Sequence, residues 1–151
     1  MPIAIKNDVI ELSSQYKTQE FARKFLKEIK IGDVIFLYGE MGVGKTTFVK
    51  YLINELQKRN KIEVTDVTSP TFNLLNEYQI NKIKVNHYDL FRLKSSDELK
   101  NLDLFEDRSS TITVIEWPQI IKNKPGKLIE LIFKYENNYT KRSVLIKGLD
   151  F

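Results

Sequence analysis

The chain contains no cysteine and a single histidine, His87. Without thiols there is no disulfide framework, no thiolate metal site and no thiol nucleophile, and one imidazole cannot build a histidine-based zinc site alone. Any metal would therefore need oxygen ligands. No apolar run approaches the roughly 18 residues of a membrane span. The opening "MPIAIKNDVIELSS" meets acidic and polar residues too early for a signal peptide. The chain reads as a soluble cytoplasmic protein without membrane association. Charge is not strongly one-sided either: 24 basic against 20 acidic residues leave +4, with no lysine-arginine block to mark a nucleic-acid surface. Repeats, low-complexity tracts and linkers are absent too. With 151 residues, 42% of them apolar, the reading is one α/β domain spanning residues 1–151.

Against these absences stands one dense stretch, "YGEMGVGKTTFVK", residues 38 to 50. Gly39, four residues, then Gly44-Lys45-Thr46 spell the phosphate-cradling pattern G-x-x-x-x-G-K-[ST]. Its setting agrees with its mechanism. The apolar run Asp33 to Tyr38 before it suits a strand buried on both faces. Phe48, Val49, Leu52, Ile53 and Leu56 after it recur at helical spacing. The nucleotide-binding segment comprises Gly39, Glu40, Met41, Gly42, Val43, Gly44, Lys45, Thr46 and Thr47. Backbone N–H groups must approach phosphate oxygens closely, which side chains at Gly39, Gly42 and Gly44 would hinder. Lys45 supplies charge to the β- and γ-phosphates, and the Thr46 hydroxyl is placed to ligate Mg2+. The expected cofactors are ATP and Mg2+.

Elsewhere the pattern predicts a helix capped by Thr18 and carrying Phe21, Ala22, Phe25, Leu26 and Ile29. Extended segments are expected over Phe72 to Ile80, Ile83 to Asp89 and Thr111 to Glu116. Ser95 with Glu98 reads as a capping box opening a short helix. Leu128 to Tyr135 and Arg142 to Lys147, flanking "ENNYTK", read as an antiparallel hairpin. The sheet should be mixed, mainly parallel at its centre and flanked by helices.

A phosphate loop needs a carboxylate across from it to hold the metal and orient water. "TITVIEW" ends a buried strand at Glu116, the favoured metal ligand, and "VNHYDLFRL" places Asp89 second. "TSPTF" is a proline-fixed bend whose Ser69 and Thr71 are candidates for a switch that responds to the γ-phosphate, against the plainer reading of a simple turn. His87 reads as a structural histidine, and Trp117 as either a core-edge aromatic or a lid beside the nucleotide. The guanine-reading N-K-x-D is missing, since "NKIK" and "NKPG" both lack the aspartate. A small-molecule kinase would want clustered arginines, whereas Arg23, Arg59, Arg92, Arg108 and Arg142 are spread along the chain. A minimal ATPase read by a partner protein remains, with the kinase and a non-hydrolysing nucleotide-dependent binding module as alternatives.

"GEMGVGKTTF", "VTSPTFNLLNEY", "HYDLFRL" and "VIEWPQ", in that order and spacing, resemble the TsaE family of ATPases in bacterial tRNA threonylcarbamoyladenosine (t6A) biosynthesis. The resemblance implies a P-loop NTPase fold over nearly the whole chain. It implies an Mg-dependent ATPase, weak alone, that works with TsaD and TsaB through ATP-state-dependent association and touches tRNA only indirectly. Residue by residue, it implies Lys45 on phosphates, Thr46 and Glu116 on the metal, and Asp89 assisting hydrolysis. Trp117 lies beside Glu116, Ser69, Pro70, Thr71 and Phe72 form the switch, Arg92 shares the motif of Asp89, and Thr18 lies near the nucleoside. One departure stands out: the family often has a leucine-glycine pair where this chain has Leu102-Asp103, which puts that turn in question.

Overall fold

β-branched and large apolar residues fill the two central strands, Val34–Tyr38 and Thr111–Glu116, so completely that neither offers a polar face. Such strands need cover on both sides. The computed structural model of the chain describes residues 8–70, 74–105 and 108–151. In chain order the elements are β1 (Asp8–Glu11), α1 (Gln15–Glu28), β2 (Val34–Tyr38), α2 (Lys45–Arg59), β3 (Leu75–Ile80), β4 (Ile83–Asp89), a 3-10 turn (Ser96–Asn101), β5 (Thr111–Glu116), a second 3-10 turn (Pro118–Ile120), β6 (Ile129–Glu136) and β7 (Lys141–Lys147).

The seven strands form one sheet in the order β1-β7-β6-β2-β5-β4-β3. β6, β2, β5 and β4 are mutually parallel, while β3 pairs antiparallel to β4 and the β6–β7 hairpin continues antiparallel to β1. This is the expected mixed sheet with a parallel centre and a C-terminal hairpin. Both α-helices cover one face: Phe21 and Phe25 of α1 and Phe48 of α2 pack together, with ring centroids 5.2 to 5.7 Å apart, over a core that includes Ile35, Leu37, Val114 and Leu131. The other face, with Val34, Phe36, Tyr88 and Ile115, is covered by the 3-10 segments and loops through Leu99, Leu102, Phe105 and Ile121.

Two local expectations are corrected, and one strand that the pattern does not predict is added. Helix α1 is capped by Ser14, whose hydroxyl accepts from the Lys17 N–H at 3.2 Å, and not by Thr18. Thr18 lies inside the helix on its buried face and donates to the Ser14 carbonyl at 3.3 Å, so its hydroxyl is spent within the turn. Second, the Ser95 side chain makes no capping bond; only Glu98 reaches back, accepting from the Lys94 N–H at 3.4 Å, and the element stays a 3-10 turn. Third, β1 is an edge strand with Val9 exposed, too short for its alternation to signal a strand without its partner β7. Of the strand expected from Phe72, residues 72 and 73 lie outside the described residues, and the strand runs Leu75–Ile80.

Asp103 resolves the question left by the departure from leucine-glycine. Its φ is +47°, a left-handed conformation that glycine adopts freely and aspartate only with strain. Asp103→Gly is expected to raise stability by about 0.5 kcal/mol, the relief of the left-handed cost less glycine's greater freedom in the unfolded chain. Urea unfolding would show this as a higher midpoint at unchanged slope, and a lower midpoint would mean that the Asp103 side chain itself holds the turn.

Candidate functional site

Parallel pairing fixes which side chains meet at the carboxyl ends of the central strands. Asp89 of β4 lies opposite Glu116 of β5, and Glu116 lies opposite Leu37 of β2. Side chains two residues apart share a face, so His87 joins Asp89 and Glu116 on the helix-covered side. The loop that leaves β2 begins one residue beyond Tyr38 and feeds directly into α2, placing the first turn of α2 above these carboxylates.

Gly39, Gly42 and Gly44 all have positive φ, at +148°, +82° and +114°. Their reasons differ from the simple one of clearing space for phosphate. A Cβ on Gly39 would meet Val43 Cγ1 at 2.8 Å and the Phe133 carbonyl at 2.9 Å, so that position is closed by the chain's own packing. Gly42 and Gly44 have room but need the left-handed backbone. Gly44 caps α2 without a side-chain bond, leaving first-turn N–H groups without a side-chain acceptor, the arrangement that attracts an anion.

The Thr46 hydroxyl lies 3.2 and 3.1 Å from the two Glu116 carboxylate oxygens and 2.7 Å from the Ser69 hydroxyl. Thr46 has one proton, and an ionised carboxylate can only accept. Thr46 therefore donates to Glu116 and Ser69 donates to Thr46. From the other side His87 Nε2 lies 2.6 Å from Glu116 Oε2 and donates to it. Glu116 is 2% exposed and His87 fully buried. Lys45, 4% exposed, donates to the Gly39 carbonyl and sits 3.7 Å from the centre of the Trp117 ring. Burial lowers its pKa, an effect opposed by the negative charges of Glu116 and Asp89. Asp89 is shifted upward, first by burial and further by the charge of Glu116, against the Phe91 N–H that it accepts at 3.0 Å.

A cavity of about 400 Å³ opens over this cluster. Met41, Gly42, Gly44 and the Lys45–Thr47 turn line it from one side, and Ser69, Pro70, Asp89, Arg92, Glu116 and Trp117 from the other. Glu40 does not line it, and Val43 turns into the core. Thr18 does not line it either. Thr18 and Val43 instead border a second cavity of about 230 Å³ that shares Gly44 and Thr47 with the first. Thr71 and Phe72 lie outside the described residues. Trp117, left open between core-edge aromatic and lid, lines the cavity in a left-handed conformation and packs on the exposed Phe91 at 4.8 Å.

Sequence reasoning missed two groups. His87, read as structural, contacts Glu116. Arg142, read as one of five scattered arginines, comes from β7 to stand 3.8 Å from the Cβ position of Gly44, its guanidinium over the Tyr135 ring. The histidine's spacing to Asp89 was a usable signal, whereas nothing local marks Arg142.

A family model described as "Threonylcarbamoyl adenosine biosynthesis protein TsaE" matches residues 12–144. The chain belongs to the TsaE family. Among its relatives, the TsaE protein of Rickettsia bellii is 40% identical over 124 residues, covering 82% of this chain and 83% of that protein. The TsaE protein of Rickettsia typhi is 36% identical over 141 residues, covering 93% and 94%. That of Aquifex aeolicus is 36% identical over 135 residues, covering 89% and 92%. The crystal structure of the Bacillus protein YdiB superposes with a TM-score of 0.72 at 21% identity, over 99% of this chain and 90% of YdiB, and shows the same fold. TsaE proteins take part in t6A biosynthesis on tRNA, and this TsaE-family chain carries a P-loop-type fold. Among the described residues no helix is long and apolar enough to cross a membrane.

The upward shift of Asp89 sets a pH-dependent cost on this TsaE chain. A carboxyl whose native pKa exceeds its unfolded value stabilises fully below the ordinary value of 3.8 and loses that contribution as pH rises through the native value. Asp89→Asn, neutral throughout and still able to accept from Phe91, should melt above wild type near neutral pH. The difference should shrink as the pH falls toward 3.8. Melting curves across that range check this, and a variant that melts below wild type at neutral pH would contradict it.

Proposed function

We propose that this chain is a cytoplasmic, magnesium-dependent ATPase, weakly active alone, that serves t6A modification by associating with TsaD and TsaB according to its nucleotide state. One observation carries the reading: the Thr46 hydroxyl, on the first turn of the anion-attracting helix, meets the buried Glu116 carboxylate at 3.1 Å in a single cavity. That is an oxygen pair set beside a phosphate cradle.

The donor set fits magnesium bound together with a nucleotide. Among the described residues no group of three or more histidine, aspartate or glutamate side chains could hold a metal by itself, whereas a hydroxyl and one carboxylate suffice when phosphates and waters complete the shell. Thr46 and Glu116 would hold the ion, which supplies positive charge against the β- and γ-phosphate oxygens when bound. Lys45, now on the Gly39 carbonyl and the Trp117 face, would supply its charge to the phosphates. Asp89, beside Glu116 on the same face, would orient the attacking water by accepting a hydrogen bond from it. The second cavity, reached through Gly44 and Thr47, is where we place the nucleoside, with Thr18 along its wall and Arg142 toward the phosphates. Ser69 links the Ser69–Phe72 segment to the metal ligand through Thr46, so nucleotide state reaches that segment directly. The exposed Met41 and Phe91 at the cavity rim give a partner an apolar hold there.

Lys45→Ala and Glu116→Ala should each lower ATP hydrolysis by about 100-fold or more while leaving the fold intact. In the host, depletion of this chain should remove threonylcarbamoyladenosine from bulk tRNA by nucleoside mass spectrometry. Wild type should restore it and Lys45→Ala should not. An unchanged level after confirmed depletion, or transfer of the γ-phosphate to an added acceptor in preference to water, would overturn the proposal.

A further inference from the structure

His87 is fully buried, yet among the described residues its imidazole makes one hydrogen bond and not two. Nε2 is bonded to Glu116 Oε2 at 2.6 Å, while Nδ1 is buried with no hydrogen-bond partner. A histidine that merely filled the core would gain nothing from this arrangement. An apolar side chain of similar volume would pack the same space without a stranded nitrogen. The contact to Glu116 is what the residue type provides.

That contact decides how the Glu116 carboxylate is presented. A glutamate side chain has three rotatable bonds, and Thr46 alone, touching both oxygens at 3.1 and 3.2 Å, does not select between them. His87 does. Among the described residues, Oε2 then accepts from both His87 and Thr46, whereas Oε1 accepts from Thr46 alone and keeps spare acceptor capacity. β4 supplies this donor through its register: His87 lies opposite Val114, two residues before Glu116 on the same face, and so reaches the carboxylate from below.

We propose that His87 is a positioning residue that fixes the Glu116 carboxylate so that Oε1 is the oxygen offered to a divalent cation accompanying ATP. The inference rests on the function proposed above. Partners that orient a metal-binding carboxylate typically carry about 10- to 100-fold in metal affinity. The role of His87 is therefore in metal-assisted binding and not in nucleotide binding as such.

Trp117 is the chain's only tryptophan and lines the cavity, so its fluorescence reports ATP binding without a label. ATP affinity would be measured with magnesium and again in EDTA for wild type, His87→Leu and His87→Gln, the last keeping an N–H donor near the Nε2 position. His87→Leu should lose about 10-fold or more of the magnesium-dependent gain in ATP affinity. Its EDTA affinity should stay at the wild-type value, and His87→Gln should retain most of the gain. Should His87→Leu fail to fold, His87→Asn, whose shorter amide cannot reach Glu116, takes its place against His87→Gln. A wild-type chain whose ATP binding ignores magnesium overturns the reading of the site itself. A wild-type chain that responds, with His87→Leu responding equally, or with all variants impaired alike in EDTA, overturns the role of His87 alone.

Discussion

The hydrogen bond between the Thr46 hydroxyl and the Glu116 carboxylate joins the first turn of α2 to the end of β5, and the rest of the site is arranged around keeping it satisfied. Glu116 is almost wholly removed from water, so its charge depends on donors supplied by the protein. Thr46 comes from the loop side and His87 from within the sheet. Removing one donor to a buried polar group costs about 1–3 kcal/mol, because the acceptor is left short of a partner. The parallel register of β2, β5 and β4 is what makes both donors available at once. A one-residue slip in β4 would turn His87 and Asp89 to the opposite face and strip the carboxylate of its inner donor.

Around this pair the chain accepts local costs that the core must offset. Lys45 is buried against the preference of its ammonium for water, Asp89 is biased toward its neutral form, and Trp117 is left-handed. Such features cluster where geometry is prescribed by function more than by stability. Lys45 and Asp89 sit on the face backed by the two helices, where the aromatic cluster of Phe21, Phe25 and Phe48 anchors α1 and α2, whereas Trp117 packs toward the opposite face. The opposite face relies on 3-10 turns and loops.

What was legible in the sequence was whatever lies contiguous along it. The phosphate loop, its strand and its helix are one unbroken segment, and Glu116 ends an apolar run, so its place at the sheet's carboxyl edge followed from the pattern, while Asp89 ends a strand made less apolar by Asn86 and His87. Groups brought in by pairing were not legible. Arg142 reaches Gly44 only because the β6–β7 hairpin folds back beside β2 through β6, and β1 exists only through β7. Thr18 illustrates the ambiguity of caps: two hydroxyl residues four apart can each begin the helix, and the backbone chose Ser14 because Thr18 is needed on the buried face. Gly39 was read correctly as obligatory but for an incomplete reason, since the clash that forbids a side chain there is with Phe133 of β6.

Lys45 shows how the proposed chemistry and the fold are coupled. Its ammonium is satisfied by the Gly39 carbonyl and the Trp117 ring, so the cation is turned inward against the loop. A nucleotide must offer Lys45 more than those two contacts do, and only the difference is available to shift the surrounding segments. A triphosphate brings more negative charge within reach of Lys45, Thr46 and Arg142 than a diphosphate. The Thr46 bond is shared with Ser69, so a ligand that competes for the Thr46 oxygen also loosens the segment beginning at Ser69. Under the proposed function, a difference of one phosphoryl group would thereby act on the segment that begins at Ser69 through a single hydroxyl pair, with no hinge between separate bodies required.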